Sequence, residues 1–281
     1  MVNEYYNDKI AIVTGGNSGI GFGICEELLK RGSKVYMLGR NPKKVEKAIS
    51  KLEQYDGKIF PLIADVSKKD EIQGAIKDTY EKEGRIDFLF NNAGITDPNL
   101  AVDATIEDWE KVINTNLWSI IYGVNEILPI IEKQGSGHVV NTASLGGLIP
   151  KPHGVLYATT KFATVGLTES LRMEYADKEN INFSTICPGV ILTEIFLKNK
   201  GEMSEENEKV SVEDLKETYK DLSPILPNEA AVEILDRVEA KEGVIIVPKQ
   251  PWTKLRNDYV TGSSEADKLL LHGDPKQKYQ S

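Results

Sequence analysis

The sequence predicts a single doubly wound α/β domain, spanning residues 1–281 and built on a seven-stranded parallel sheet. Three observations predict it. Short apolar runs recur along the chain without strict polar alternation, as in strands buried on both faces. Longer segments of helical character separate those runs, the rhythm of parallel crossovers. A glycine-rich turn follows the first run and opens the first helix.

The elements follow in order. Ile10-Ala11-Ile12-Val13 is the first strand, with a helix over about residues 20–30. Val35-Tyr36-Met37-Leu38 is the second strand. A helix then begins near Pro42, a residue suited to a first helical turn. Residues 59–64 form the third strand, although Pro61 cannot donate to a ladder. A polar helix over 68–83 leads to the fourth strand, 86–90. A long helix covers 106–133, and the fifth strand is 138–142. A helix over 155–178 precedes the sixth strand, 183–187, and Val244-Ile245-Ile246-Val247 is the seventh. Two stretches break the rhythm. Residues 194–224 are helical in composition but highly charged, where a cap would sit, and residues 248–281 read as a polar tail.

Hydrophobic residues make up 40% of the chain and charged residues 27%, as in ordinary soluble globular proteins. The formal charge of -9 argues against a nucleic-acid partner, which requires a basic face. Cys25 and Cys187 lie far apart in no metal-like spacing and read as reduced structural residues. The N-terminus lacks a basic region followed by an apolar stretch, and no apolar run approaches the length of a membrane span. A cytoplasmic protein without membrane contact is expected. The three histidines are scattered and suggest no metal site.

The turn reads Thr14-Gly15-Gly16-Asn17-Ser18-Gly19-Ile20-Gly21. Its glycines permit a tight turn and close approach to a phosphate, and the next helix aims its N-terminal amides at that anion. The spacing G-x3-G-x-G differs from the G-x-G-x-x-G fingerprint. The second strand ends in Gly39-Arg40. An acidic residue here would hold the adenosine ribose hydroxyls of NAD(H). Gly39 offers none, and Arg40 is suited to a 2′-phosphate, so NADP(H) is expected in preference to NAD(H). Tyr157 and Lys161, four residues apart, project from one face of a helix. A cation beside a tyrosine favours the phenolate. A drop of two to three pKa units needs roughly 3–4 kcal/mol of differential stabilisation.

These residues resemble the short-chain dehydrogenase/reductase family, whose motifs appear in order over about residues 7–248. They are the turn from Thr14 to Gly21, Asp65-Val66, Asn91-Asn92-Ala93-Gly94, Asn116, Ser144, Tyr157 with Lys161, and the run from Pro188 to Thr193. The resemblance implies a Rossmann-like fold and an NAD(P)(H)-dependent oxidoreductase acting on a secondary alcohol or ketone. It implies that Gly15, Asn17, Ser18, Gly19, Ile20 and Gly21 cradle the pyrophosphate. Asp65 and Val66 would meet the adenine. Asn92, Ala93 and Gly94 would line the adenosine side, and Asn91 would brace the sheet. Pro188, Gly189, Ile191 and Thr193 would hold the nicotinamide end.

Asn116, Ser144, Tyr157 and Lys161 would form a catalytic tetrad. Tyr157 would be the acid/base and Ser144 would orient the substrate oxygen. Lys161 would lower the Tyr157 pKa and hold the ribose, and Asn116 would fix a relay water. The resemblance also implies a homodimer or homotetramer packed through the helices near 106–133 and 155–178.

The cap and the tail favour a bulky apolar substrate such as a hydroxysteroid. Apolar residues from Ile191 to Phe196 would supply its wall. His153 reads as a surface-loop residue, and Trp109 and Trp118 as packing or interface residues. The alternatives are a 3-oxoacyl carrier-protein reductase and, outside enzymes, a dinucleotide-binding sensor or scaffold. Sensors of this fold typically lose a tetrad member, and here all four positions are filled.

Overall fold

Ala11 and Val13 enter one hydrophobic core, while their neighbours Ile10 and Ile12 enter another. Val35 and Met37 divide from Tyr36 and Leu38 in the same way. Side chains alternate across a strand, so a sheet covered on both faces needs apolar residues at every position. That is why these runs lack polar alternation.

The computed structural model describes residues 4–97, 100–150, 154–193 and 212–261. Within them the strands are β1 (Ile10–Thr14), β2 (Lys34–Gly39), β3 (Ile59–Ile63), β4 (Phe88–Asn91), β5 (Gly137–Thr142), β6 (Ile181–Pro188) and β7 (Val244–Val247). They form one parallel sheet in the order β3-β2-β1-β4-β5-β6-β7. The helices are α1 (Gly19–Lys30), α2 (Pro42–Ile49), α3 (Lys69–Glu83), α4 (Ile106–Ile113), α5 (Ser119–Gln134), α6 (Val155–Glu174), α7 (Val212–Thr218), α8 (Pro227–Glu239) and α9 (Trp252–Val260). On one face Ile24 and Leu28 of α1 meet Ala230, Ile234 and Val238 of α8. On the other, Ile72 and Ile76 of α3 pack with Ile120, Val124 and Ile127 of α5. Strand order reverses between β1 and β4, which opens a crevice beyond their carboxyl ends.

The sheet agrees with the sequence expectation, and several boundaries differ for physical reasons. Pro61 is accommodated because β3 is an edge strand. β4 starts at Phe88 rather than residue 86. The Asp87 carboxylate accepts from Ile10 N at 2.9 Å and pairs with Arg85. The long helix is α4 and α5 joined by a π turn, Asn114–Trp118. α6 ends at Glu174, four residues before the expected 178.

α8 had no counterpart in the sequence reading. Residues 248–261 are not a polar tail, since α9 buries Trp252 and Leu255. Burying Leu255 contributes roughly 1.5–3 kcal/mol. With Leu215 and Tyr219 they form a third core around Ala143, Ile149, Cys187, Val190 and Leu192. Of the expected cap, residues 212–224 hold α7 and a 3₁₀ turn. Residues 194–211, His153 and the rest of the tail, 262–281, lie outside the described residues.

Candidate active site

The crevice at the strand ends is a cleft of ≈ 870 Å³, a size suited to a dinucleotide and a small substrate. Most of the residues singled out from the sequence line it, including Asn17, Ser18, Ile20, Val66, Gly94 and Pro188. Gly21 and Asn116 do not, because both are buried behind its wall.

The floor is the glycine turn. Gly15 and Gly19 take φ of 64° and 53°, the left-handed region that favours glycine. A Cβ on Gly15 would lie 3.0 Å from Ala93 Cα, and one on Gly21 would lie 2.5 Å from Asn92 Nδ2. Thr14 latches this turn to the end of β4. Its Oγ1 accepts from Asn92 N at 2.9 Å and Ala93 N at 3.0 Å, and its carbonyl accepts from Asn92 Nδ2 at 3.2 Å. The bare backbone of the turn fits a pyrophosphate cradle. Asn91 donates to Asn141 Oδ1 at 2.9 Å, and Asn141 donates to Thr168 Oγ1 at 3.0 Å, bracing β4, β5 and α6.

At the end of β2, Arg40 is 80% exposed and its Nη1 lies 3.8 Å from Asp65 Oδ2. A Cβ on Gly39 would come within 2.6 Å of Asn17 Oδ1, so an acidic side chain there would displace Asn17. Lys44 also lines the cleft. Asp65 Oδ1 accepts from Ser67 N at 3.0 Å and Ser67 Oγ at 2.7 Å. Burial raises the Asp65 pKa, but these bonds and the nearby Arg40 and Lys68 outweigh it and hold the carboxyl below its ordinary value.

Beyond β5 the chain turns through Ser144, whose Oγ accepts from Gly146 N at 3.1 Å. α6 presents Tyr157 to the cleft, partly exposed, one turn before the buried Lys161. A Cβ on Gly146 would lie 3.6 Å from Ser144 Oγ and 3.7 Å from Tyr157 Cε1, so the two groups face one small space. Lys161 Nζ donates to Thr142 O at 2.8 Å and lies 5.4 Å from the Tyr157 ring centroid.

The expected lowering of the Tyr157 pKa is not seen: burial raises it, against the lowering effect of its hydrogen bond with Ser144. Lys161 is itself pushed down to about 8 by burial. The Asn116 side chain is also already engaged. Its Oδ1 accepts from Ile95 N at 2.8 Å, and its Nδ2 donates to Ile95 O at 2.8 Å and to Thr160 Oγ1 at 3.3 Å. It ties the loop after β4 to α6.

The run after β6 completes the cleft. Gly189 N donates to Val247 O at 2.8 Å, and Ile191 bridges Ile225. A Cβ on Gly19 would lie 3.2 Å from Thr193 Cγ2, so the two ends of the site meet there. The sequence reading missed Lys44 and Thr142 as contributors. Thr142 acts through its carbonyl, which carries no sequence signal. No metal-binding cluster occurs among the described residues. No described helix is long and apolar enough to cross a membrane.

Residues 9–204 match the family model described as short chain dehydrogenase. The chain belongs to the short-chain dehydrogenase/reductase family and is an oxidoreductase of that family. An uncharacterized oxidoreductase of Staphylococcus saprophyticus is 34% identical over 187 residues, covering 66% of this chain and 80% of the relative. Levodione reductase is 28% identical with a TM-score of 0.79, over 88% of this chain and 98% of that one. A short chain dehydrogenase/reductase from Burkholderia phymatum, in complex with NAD, shares the fold. It is 22% identical with a TM-score of 0.78, over 92% and 96% of the two chains.

Proposed function

We propose that the protein is an NADP(H)-preferring oxidoreductase that interconverts a secondary alcohol and a ketone. One observation carries the reading: Ser144, Tyr157 and Lys161 converge on the cleft that the glycine turn floors. The nicotinamide dinucleotide, when bound, supplies or accepts the hydride. In reduction Tyr157 donates its proton to the carbonyl oxygen, and the Ser144 hydroxyl hydrogen-bonds the same oxygen. In oxidation Tyr157 takes the proton back. Burial, which raises the Tyr157 pKa, suits the phenol to the proton-donor role in reduction. Lys161, with a pKa of about 8, keeps its charge at neutral pH and is placed to hold the nicotinamide ribose.

Arg40 and Lys44 support the NADP(H) preference, as does Asn17 in the space a side chain on residue 39 would need. Ile95 and Ile191 line the cleft with apolar groups, which favour a bulky apolar substrate such as a hydroxysteroid. The apolar stripe of Val155, Phe162 and Met173 along α6, with Ile106 of α4 and Trp118 of the π turn also exposed, favours a homodimer or homotetramer. Cys25 and Cys187 are buried free thiols, which suits a reducing cytoplasm.

The test is loss of absorbance at 340 nm with NADPH or NADH against ketones that include steroids and a 3-oxoacyl thioester. Tyr157→Phe is run in parallel. NADPH gives the higher kcat/KM, and the variant binds cofactor but loses turnover by about 100-fold or more. Near-normal turnover by the variant removes Tyr157 from the mechanism, and a preference for NADH reverses the cofactor assignment. Cofactor binding without turnover of any ketone returns the protein to the sensor class.

A further inference from the structure

The helix beyond the last strand reaches the nicotinamide end of the site. Gly189, where the chain leaves β6, has no room for a side chain. A Cβ there would lie 2.6 Å from Cε2 and 2.7 Å from Cδ1 of Trp252, and closer still to Nε1. The indole therefore lies directly against the Gly189 backbone. Trp252 is 7% exposed and sits in the third core with Ala143, Cys187, Val190 and Leu192. Those four lie near Ser144 and Gly189 in the chain, so Trp252 shares one core with the surroundings of both. The indole N–H is buried and has no hydrogen-bond partner among the described residues. Shape, rather than a polar contact, is what Trp252 contributes.

We propose that Trp252 is a positioning residue for cofactor and substrate, holding the run 188–193 at the height that lets Ile191 and Thr193 meet the nicotinamide end. The proposal rests on the reading of that run as the nicotinamide site. Backbone hydrogen bonds from Gly189 N to Val247 O and from Leu192 N to Ile225 O tie the run to its neighbours. The rigid ring packed on the Gly189 backbone sets how closely the run can approach the core beneath it. Thr193 then comes to Gly19, and the cleft keeps one width.

The full chain is titrated with NADPH by the cofactor's own fluorescence, alongside melting curves and kcat and KM. The panel is wild type, Trp252→Ala, Trp252→Phe, Gly189→Ala and the Trp252→Ala/Gly189→Ala pair. Trp252→Ala weakens NADPH binding by about tenfold, because the run that meets the cofactor loses the ring that places it. Trp252→Phe restores most of the affinity. Gly189→Ala weakens binding by its clash with the indole, and that penalty shrinks once the indole is gone. Trp252→Phe and Gly189→Ala keep the test decisive where Trp252→Ala fails to fold. Wild-type affinity in Trp252→Ala with only a lowered Tm, or additive penalties in the pair, overturns the proposal while the site reading stands. A wild type that binds neither NADPH nor NADH overturns both.

Discussion

The Ser184 hydroxyl donates to Glu242 O at 2.6 Å, and its oxygen lies 2.9 Å from His138 Nε2. With its single proton spent, Ser184 accepts from the ring, so Nε2 carries the hydrogen. Nδ1 then accepts from the Tyr5 hydroxyl at 2.9 Å. The neutral ring is satisfied at both nitrogens, and a second proton would cost Tyr5 its acceptor. Burial, with Lys241 adding to it, pushes the His138 pKa from 6.5 to about 3. The unfolded chain binds a proton near pH 6.5 and the folded chain does so only near 3. Stability therefore falls as pH drops through that window, by up to roughly 1.4 kcal/mol per pH unit. Urea midpoints at pH 7 and pH 4 test this: His138→Gln loses less stability between them than wild type. An equal loss would place the acid sensitivity elsewhere. The sequence shows a histidine in a strand, but Tyr5 lies 133 residues from it and Ser184 46 residues away. Such partners are set by folding and leave no local pattern.

The glycine turn is the element that the sequence displayed most openly. Its residues are constrained by local backbone geometry, and local geometry is what a motif records. Gly21 makes the point quantitatively. A Cβ there would lie 2.5 Å from Asn92 Nδ2 and also strike Gly15 O, both inside the latch that Thr14 holds. Gly21→Ala should raise the NADPH Kd by about tenfold or more, measured by fluorescence titration, because the turn must open to admit the methyl group. An unchanged Kd would mean that the turn does not hold the pyrophosphate. α9 was the opposite case. Its polar composition hid it, because only Trp252 and Leu255 are buried. The π turn between α4 and α5 was equally silent, since a continuous helical pattern runs through it.

Across the whole molecule, the exposed apolar side chains of α4 to α6 call for a partner. Ile106 is 69% exposed, Met173 74%, and Trp118, stacked 5.5 Å from Tyr122, 43%. The proposed homo-oligomer covers this face with a second copy. Trp118→Glu should shift the protein to monomer in sedimentation velocity while leaving the far-UV spectrum unchanged. A wild type that sediments as a monomer at micromolar concentration would remove the interface.

The sequence by itself determined the seven strands, the glycine turn and the Tyr157–Lys161 register, because each follows from a repeat or spacing within a few residues. Only the tertiary structure decided that burial raises the Tyr157 pKa and that the Asn116 amide is engaged by Ile95. It alone seats Trp252 on Gly189. Desolvation, saturation of a buried amide and close packing arise between segments far apart in the chain, and they exist only once the fold has brought those segments together.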